Sequence, residues 1–310
     1  MKDIALIFPG QGAQKVGMGK EFYDSCSKAK AVFDAAQAIL GNDFLNVVFN
    51  GPQEKLTLTS YSQPAIVAFS IAALEAFKKS EKFKDVNVKF AAGLSLGEYS
   101  ALIACGGLPV EEGIRLVQKR GSFMEEACKL NNGKMAAIIG FGKERLKEIC
   151  AQTGAQVANF NSSEQIVISG HADKVEAAVA LIEKEGAKNI VMLEVAGAFH
   201  SSLMSSAADK FKATLDSFTF HPLSIPLVSN VSASAVLDPQ VIRENLPKQI
   251  VSSVLWEDSI RFMALQGVKT FIEIGPGRVL KGLMRKIDPG LKVFNIEKPE
   301  DIVALAVDSI

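Results

Sequence analysis

A serine at the centre of a Gly-x-Ser-x-Gly motif is the residue of this sequence that most directly suggests covalent chemistry. The motif occupies residues 93–97 (GLSLG), after a predicted strand at 86–92 and before a predicted helix at 96–104. This context is what a nucleophile elbow requires, because glycines allow the sharp turn that exposes the serine oxygen. The N–H groups that begin the helix face a developing oxyanion. We therefore predict that Ser95 is a nucleophile; the alternative is an ordinary turn serine.

A serine nucleophile needs a general base at neutral pH, and the sequence contains three histidines. His221 precedes a proline in a loop, and His171 begins a helix in the middle of the chain. His200 lies just before a predicted helix at 201–215, four residues before Met204 and so on its apolar face. A helix N-terminus disfavours imidazolium, which keeps the ring able to accept a proton. Position therefore favours His200 as the base, although a packed structural histidine explains it equally well.

Arg120 is a charged residue on the apolar side of a predicted helix that runs from Pro109 to about residue 128. It follows Leu116 by four residues and precedes Met124 by four, so the three share one helical face. A buried guanidinium needs an anion, because an unpaired buried charge is costly. The anion could be the carboxylate of a substrate, held by the guanidinium fork, or of a structural salt bridge. A side chain that snorkels to solvent is a further alternative.

A glycine-rich loop, Pro9-Gly10-Gln11-Gly12, ends the first predicted strand at 4–8. The carboxyl edge of a parallel sheet is where ligands bind, so this loop could bring backbone close to a ligand. A dinucleotide-binding motif would need glycine at position 15, where Lys15 stands, and no Walker A sequence occurs. The loop is therefore a ligand-contacting segment or a tight turn that serves packing.

The elements that must position these residues form two groups. Strands alternate with helices before residue 129 and after residue 197, which is typical of a parallel sheet covered by helices. Between them the predicted order is strand, helix, strand, strand, helix, strand, the order of a ferredoxin-like unit. We predict an α/β chain with a large domain at 1–128 and 198–310 and a ferredoxin-like domain, 129–197, inserted into it.

Composition excludes several classes of protein. The 34 basic and 34 acidic residues give a net charge of zero, which argues against a nucleic-acid binder and a polybasic membrane-surface protein. The apolar fraction of 48% favours a folded chain. The widely spaced cysteines form no metal-binding pattern, and we find neither a signal peptide nor a membrane span. We expect a cytoplasmic enzyme.

Seven sequence blocks together resemble the bacterial malonyl-CoA:acyl carrier protein transacylase family. They follow one another in the order of that family over nearly the whole chain, at 8–14 (FPGQGAQ), 59–66 (TSYSQPAI), 93–102 (GLSLGEYSAL), 118–124 (QKRGSFM), 159–170 (NFNSSEQIVISG), 198–204 (AFHSSLM) and 273–280 (EIGPGRVL). The resemblance implies an α/β-hydrolase-like large domain with a parallel sheet and an inserted ferredoxin-like domain. One departure is Leu94, where the family usually has histidine.

The resemblance also implies roles at the reacting atoms. Ser95 would be the acylated nucleophile and His200 its base. The backbone N–H groups of Gln11 and Leu96 would form the oxyanion hole. The backbone carbonyl of Gln249 would orient His200, so that no acidic third member is needed.

Substrate selection is implied for two further residues. Arg120 would bind the malonyl carboxylate, and Phe199 would disfavour branched acyl groups. Malonyl-CoA would be the substrate, with no tightly bound cofactor, because the phosphopantetheine is carried by the partner, acyl carrier protein. The implied process is fatty acid biosynthesis, and we expect a monomer.

The acidic carrier of this family must be attracted by a local patch, because the whole chain is neutral. Basic residues spaced on one predicted helical face offer such a patch, comprising Arg278, Lys281, Arg285 and Lys286. The alternative is an ordinary solvated face.

Three other functions remain open from the sequence. A serine hydrolase would use the same elbow with an acidic residue, for which Asp173 is the candidate. A carrier-binding protein without activity would keep the fold but form no acyl-serine. A polyketide acyltransferase would perform the same chemistry with a different carrier.

Overall fold

Two separate β-sheets organise the chain in the computed structural model, which describes residues 1–187 and 189–305. The strands are β1 (Lys2–Phe8), β2 (Val86–Gly93), β3 (Gly133–Ile139), β4 (Gln156–Ser162), β5 (Gln165–His171), β6 (Asn189–Met192), β7 (Leu227–Val228), β8 (Ala235–Val236), β9 (Thr270–Ile274) and β10 (Lys292–Ile296). The helices are α1 (Lys20–Ser25), α2 (Ser27–Leu40), α3 (Phe44–Asn50), α4 (Gln53–Thr57), α5 (Thr59–Lys79), α6 (Glu81–Lys84), α7 (Gly97–Ala104), α8 (Val110–Leu130), α9 (Lys143–Thr153), α10 (Ala172–Lys184), α11 (Ser205–Thr214), α12 (Pro239–Val251), α13 (Trp256–Leu265), α14 (Val279–Ile287) and α15 (Pro299–Ala304).

The larger sheet has the strand order β10-β9-β1-β2-β7-β8 and is parallel except for the last pair. Its central strand β1 is apolar on both faces: Ile4, Leu6 and Phe8 enter one core cluster, whereas Ala5 and Ile7 enter another. A strand buried on both faces requires helices above and below the sheet. This part of the fold is therefore the helix-covered parallel sheet that the alternation of elements predicts.

The smaller sheet is antiparallel, with the order β4-β5-β3-β6. Alternate residues of β3 divide between two cores. Ala136 and Ile138 pack with α9 and α10, and Met135 and Ala137 join the core of the larger sheet. The small sheet therefore lies with one face against the rest of the chain. The predicted fold class, α/β with a parallel sheet and a second, smaller antiparallel sheet, is confirmed.

Two predicted elements differ from the structure. The apolar run at 190–195 (IVMLEV) predicts the last strand of the inserted domain, but β6 stops at Met192. The predicted helix at 201–215 begins with a 3₁₀ turn, Ser202–Met204, and α11 starts only at Ser205. The side chain of Ser201 accepts a hydrogen bond from the Leu203 N–H and so caps the 3₁₀ turn. Within the described ranges, no helix combines the length and apolar character that a membrane span needs.

Three glycines allow two backbone segments, the loop after β1 and the turn after β2, to come into direct contact. A Cβ on Gly93 would lie 1.8 Å from the carbonyl carbon of Gly97, and one on Gly97 would lie 2.1 Å from the Phe8 oxygen. A Cβ on Gly10 would lie 2.6 Å from the Leu94 oxygen. The turn after β2 therefore touches the loop after β1 through backbone atoms, with no room for side chains.

We expect Gly93→Ala to lower the free energy of unfolding by about 3 kcal/mol, because backbone atoms cannot yield to the added methyl group. Gly282→Ala is the control: it lies inside α14 with open space around the new Cβ. There alanine is expected to stabilise the helix by about 0.5–1 kcal/mol. Urea unfolding of both variants measures the difference in their free energies of unfolding. Equal unfolding midpoints for the two variants would contradict the close backbone contact at Gly93.

Candidate active site

Ser95 occupies the sharp turn between β2 and α7 and has a left-handed backbone, with φ of 51°. The side chain of Asn230 fixes this turn on both sides. Its Oδ1 accepts from the Ser95 N–H at 2.7 Å, and its Nδ2 donates to the Gly93 carbonyl at 2.8 Å. A strained backbone persists only when its surroundings hold it, and the amide of Asn230 supplies that restraint.

His200 lies directly against the serine. Its Nε2 is 2.7 Å from Ser95 Oγ, and its Nδ1 is 2.8 Å from the backbone carbonyl of Gln249 in α12. A carbonyl oxygen only accepts, so Nδ1 carries the hydrogen. Nε2 is consequently the free acceptor, and the serine hydroxyl donates to it. The imidazole is thus held in the tautomer that can take the serine proton.

The pKa of His200 is lowered to about 4, mainly by burial and next by the positive charge of Arg120; the backbone contacts to Gln249 and Ser252 act in the opposite direction. The sequence suggested a different cause, the N-terminus of a helix, whereas the causes seen in the structure are burial and the charge of Arg120. The residue precedes a 3₁₀ turn, and its own φ is 57°. Burial beside a cation keeps the ring neutral near pH 7.

Arg120 is buried beside the same serine, with 1% of its surface exposed. One guanidinium nitrogen donates to Gln249 Oε1 at 3.1 Å and to Ser95 Oγ at 3.2 Å. The guanidinium carbon lies 5.1 Å from the centroid of the Tyr99 ring, which is within range of a cation–π contact.

No carboxylate of the described chain forms an ion pair with Arg120, and its Nε has no hydrogen-bond partner there. Neither the salt bridge nor the snorkelling side chain that the sequence left open is present in these residues. A buried cation with unused donors is a site for a small anion.

A pocket of about 370 Å³ opens between the two sheets and contains the serine. Its walls come from the loop after β1, the turn after β2, α8 and the small sheet, and they include Ser95, Arg120, Met135, Asn161, Phe199 and His200. This volume is within the range of sites for small organic ligands. Among the described residues, no group of His, Cys, Asp and Glu side chains could hold a metal ion.

The two predicted oxyanion-hole residues lie on either side of the serine. Leu96 follows it in the chain, and Gln11 lines the same pocket. The Gln11 side chain is fixed by contacts to Thr59 and Gln63. Neither backbone N–H has a hydrogen-bond acceptor within residues 1–187 and 189–305. Two backbone donors without an acceptor near a serine hydroxyl could hold an oxyanion formed there.

Leu94, the second residue of the Gly-x-Ser-x-Gly motif, also lines the pocket. It packs against the second core cluster of the larger sheet. Its neighbours are therefore apolar, and it takes no part in the hydrogen bonds of Ser95.

Two residues of this site were not predicted. Asn230 follows the short strand β7 at the carboxyl edge of the large sheet. Ligands bind at this edge of parallel sheets, so a polar side chain there is a candidate site residue. Glu98 directly follows the Gly-x-Ser-x-Gly motif in α7, a helix whose residues are all buried. A carboxylate in such a helix is itself a signal, because it needs buried partners.

The predicted basic patch lies on α14 and at its N-cap, with Arg278, Lys281, Arg285 and Lys286. Two of its charges have acidic neighbours: Arg278 lies 3.9 Å from Glu297, and Lys286 pairs with Glu164 of the small sheet. The other two form no ion pair with the described residues. About half of the positive charges that the sequence predicts for this face are therefore paired with acidic side chains.

Comparisons with known proteins agree with this geometry. Residues 5–297 match the acyl transferase domain family. The chain is 44% identical to malonyl CoA-acyl carrier protein transacylase of Bacillus subtilis, over all of this chain and 98% of that one.

Two solved structures are also similar over nearly the full length. An acyl-carrier-protein-S-malonyltransferase from Bartonella henselae superposes with a TM-score of 0.93 at 39% identity, covering 98% of both chains. A malonyl-transacylase solved in complex with a type II PKS acyl-carrier protein has a TM-score of 0.94 at 34% identity, covering 100% of both. Sequence, fold and the surroundings of Ser95 thus agree that this chain belongs to the acyl transferase family, among the malonyl CoA-acyl carrier protein transacylases.

Proposed function

We propose that the protein transfers the malonyl group of malonyl-CoA to the phosphopantetheine thiol of an acyl carrier protein, in fatty acid biosynthesis. The observation that carries the proposal is the contact between Arg120 and the Ser95 oxygen at 3.2 Å. An acyl group on that oxygen lies beside a buried guanidinium that forms no direct ion pair with a described carboxylate. A malonyl group brings its carboxylate two bonds beyond the ester carbonyl, within reach of this cation.

In the first half-reaction, the Ser95 hydroxyl proton moves to His200 Nε2 while Oγ forms a bond to the thioester carbonyl carbon. The Gln11 and Leu96 amides hold the oxyanion of the tetrahedral intermediate. When the intermediate collapses, the carbon–sulfur bond breaks, and the CoA sulfur takes the proton from Nε2. Malonyl-serine and free CoA result.

In the second half-reaction, the carrier's phosphopantetheine thiol gives its proton to His200 Nε2 and attacks the serine ester. The new carbon–sulfur bond forms as the bond to Oγ breaks, and the proton returns to Oγ. The Ser95 and His200 dyad needs no further acid, because the Gln249 carbonyl holds Nδ1–H throughout. No tightly bound cofactor takes part in this scheme.

The geometry favours transfer over hydrolysis by a triad. The acid that a hydrolase would need is replaced by the Gln249 carbonyl, and the candidate Asp173 is largely exposed on α10. A carrier-binding protein without activity would have no reason to keep a serine and a histidine at 2.7 Å. Fatty-acid and polyketide carriers both remain chemically compatible acceptors.

The proposal is tested by mixing the protein with malonyl-CoA, with and without a holo acyl carrier protein, and following malonyl-carrier by intact mass. We expect rapid formation of malonyl-carrier and slow release of free malonate when the carrier is absent. Fast hydrolysis that the carrier does not divert would contradict transfer. Parallel rates with fatty-acid and polyketide carriers identify the preferred partner.

We expect Arg120→Ala to lower kcat/KM for malonyl-CoA by about 100-fold and the preference for malonyl over acetyl by at least about tenfold, since the carboxylate loses its charged partner. The control is Arg115→Ala on the same helix, whose side chain is 54% exposed. It should leave both values unchanged. Equal malonyl and acetyl losses in the Arg120 variant would remove the guanidinium from substrate selection.

The pH dependence of Ser95 acylation should reflect the low pKa of His200. A ring that titrates near pH 4 stays neutral down to about pH 5, so the rate with acetyl-CoA, which has no carboxylate, should change less than about twofold from pH 7.5 to 5. Protonation below that range removes the base and the rate falls. A histidine of ordinary pKa would instead lose about 30-fold by pH 5. Single-turnover rates across this range distinguish the two.

The basic patch is tested by reversing its two unpaired charges with Lys281→Glu and Arg285→Glu. Transfer to the acidic carrier should fall about tenfold at low salt, whereas malonylation of Ser95 should not change. Lys82→Glu with Lys84→Glu on α6 changes the net charge equally and is the control. If both half-reactions fall together, or if the control matches the patch variant, α14 does not receive the carrier.

A further inference from the structure

Glu98 is a buried carboxylate that no step of the proposed reaction employs. It is 1% exposed and lies three residues after the nucleophile, in α7. Its Oε2 accepts from the side-chain Nε2 of Gln249 at 2.5 Å, and its Oε1 accepts from the backbone N–H of Asn230 at 3.3 Å. Burial raises the pKa of this carboxyl to about 7, so it is ionised at pH 8.

The amide of Gln249 connects this carboxylate to the guanidinium. Its Nε2 donates to Glu98 and also to the Ser95 carbonyl at 2.9 Å, and its Oε1 accepts from Arg120 at 3.1 Å. An amide has one accepting end and one donating end, so its orientation matters. With two acceptors on one side, the nitrogen must point to them, and the oxygen is left to face Arg120.

We infer that Glu98 is a positioning residue for acyl-group selection: through the Gln249 amide it holds the Arg120 guanidinium where a substrate carboxylate can reach it. The inference rests on the proposed function and extends it to a residue that does not touch substrate. Without the carboxylate, the amide can turn over and present its N–H₂ to the guanidinium. Two donors then face each other, and the buried cation loses a partner.

Glu98→Gln tests this role. The two side chains have nearly the same shape, and an N–H₂ group replaces one carboxylate oxygen. The new side-chain oxygen can still accept from the Asn230 N–H, which preserves the support of the Ser95 turn. Its N–H₂ then faces the N–H₂ of Gln249, so that amide either keeps two donors opposed or reverses and loses its bond to the Ser95 carbonyl. At pH 8 we expect the malonyl-over-acetyl ratio of kcat/KM for Ser95 acylation to fall at least about tenfold, through a higher KM for malonyl-CoA, while acetylation stays within about threefold.

The matched control is Glu273→Gln. Glu273 is equally buried and accepts from the Leu280 and Lys281 N–H groups, and its pKa is also raised to about 7. It makes no contact with Gln249, so the acyl selectivity of its variant should equal that of the parent. A general effect of replacing a buried carboxylate would appear in both variants.

Gln249→Met removes the other partner of the contact between Glu98 and Gln249. It removes the amide and keeps the backbone carbonyl that holds His200. We expect a similar loss of selectivity, and no further loss when it is combined with E98Q, because both substitutions cut one chain of contacts.

The inference is overturned if E98Q keeps the parental ratio, if malonyl and acetyl rates fall together, or if the two substitutions add. Should E98Q fail to fold, Glu98→Asp, which keeps the charge but withdraws it from Gln249, is judged by the same criteria. The parent protein separates the two claims: a parent that is not malonylated contradicts the proposed function, whereas a selective parent with an equally selective E98Q contradicts only the role of Glu98.

Discussion

One buried glutamine joins the groups on which the proposed chemistry depends. The backbone carbonyl of Gln249 fixes the tautomer of His200, and its side-chain amide contacts Arg120 and the Ser95 carbonyl. Buried polar groups are stable only when nearly all of them are paired, so each contact restricts the others. α12, which supplies Gln249, must therefore dock at a fixed depth beside the serine turn.

The packing of the large sheet imposes the second constraint. The loop after β1 and the turn after β2 meet through backbone atoms, because glycines at 10, 93 and 97 leave no side chain between them. This contact brings the Gln11 amide to the same pocket as Ser95 and leaves its N–H unused. The small sheet forms a further wall of the pocket, and Arg120 is almost completely buried there, which strengthens its attraction for a carboxylate.

The sequence predicted the parts whose signal is local. The predicted strand at 86–92 falls within β2, and Ser95 could be singled out because its motif lies between this strand and a helix. Arg120 could be placed on a buried face by helical spacing. Asn230 could not be found this way, because β7 has only two residues and shows no periodicity. The partners of Glu98 are 132 and 151 residues away, so nothing near it in sequence reveals them. The burial of His200 and the nearby charge of Arg120 could not be predicted, because they depend on elements far from His200 in the sequence.

The central claim is that a malonyl group becomes covalently bound to Ser95. The most direct measurement is intact mass followed by peptide mapping after brief exposure to malonyl-CoA, for the parent protein and for Ser95→Ala. The account predicts one malonyl group per parent chain, on the peptide that contains Ser95, and none on the variant. A malonyl group that persists in Ser95→Ala, or that maps to another peptide of the parent, would contradict it.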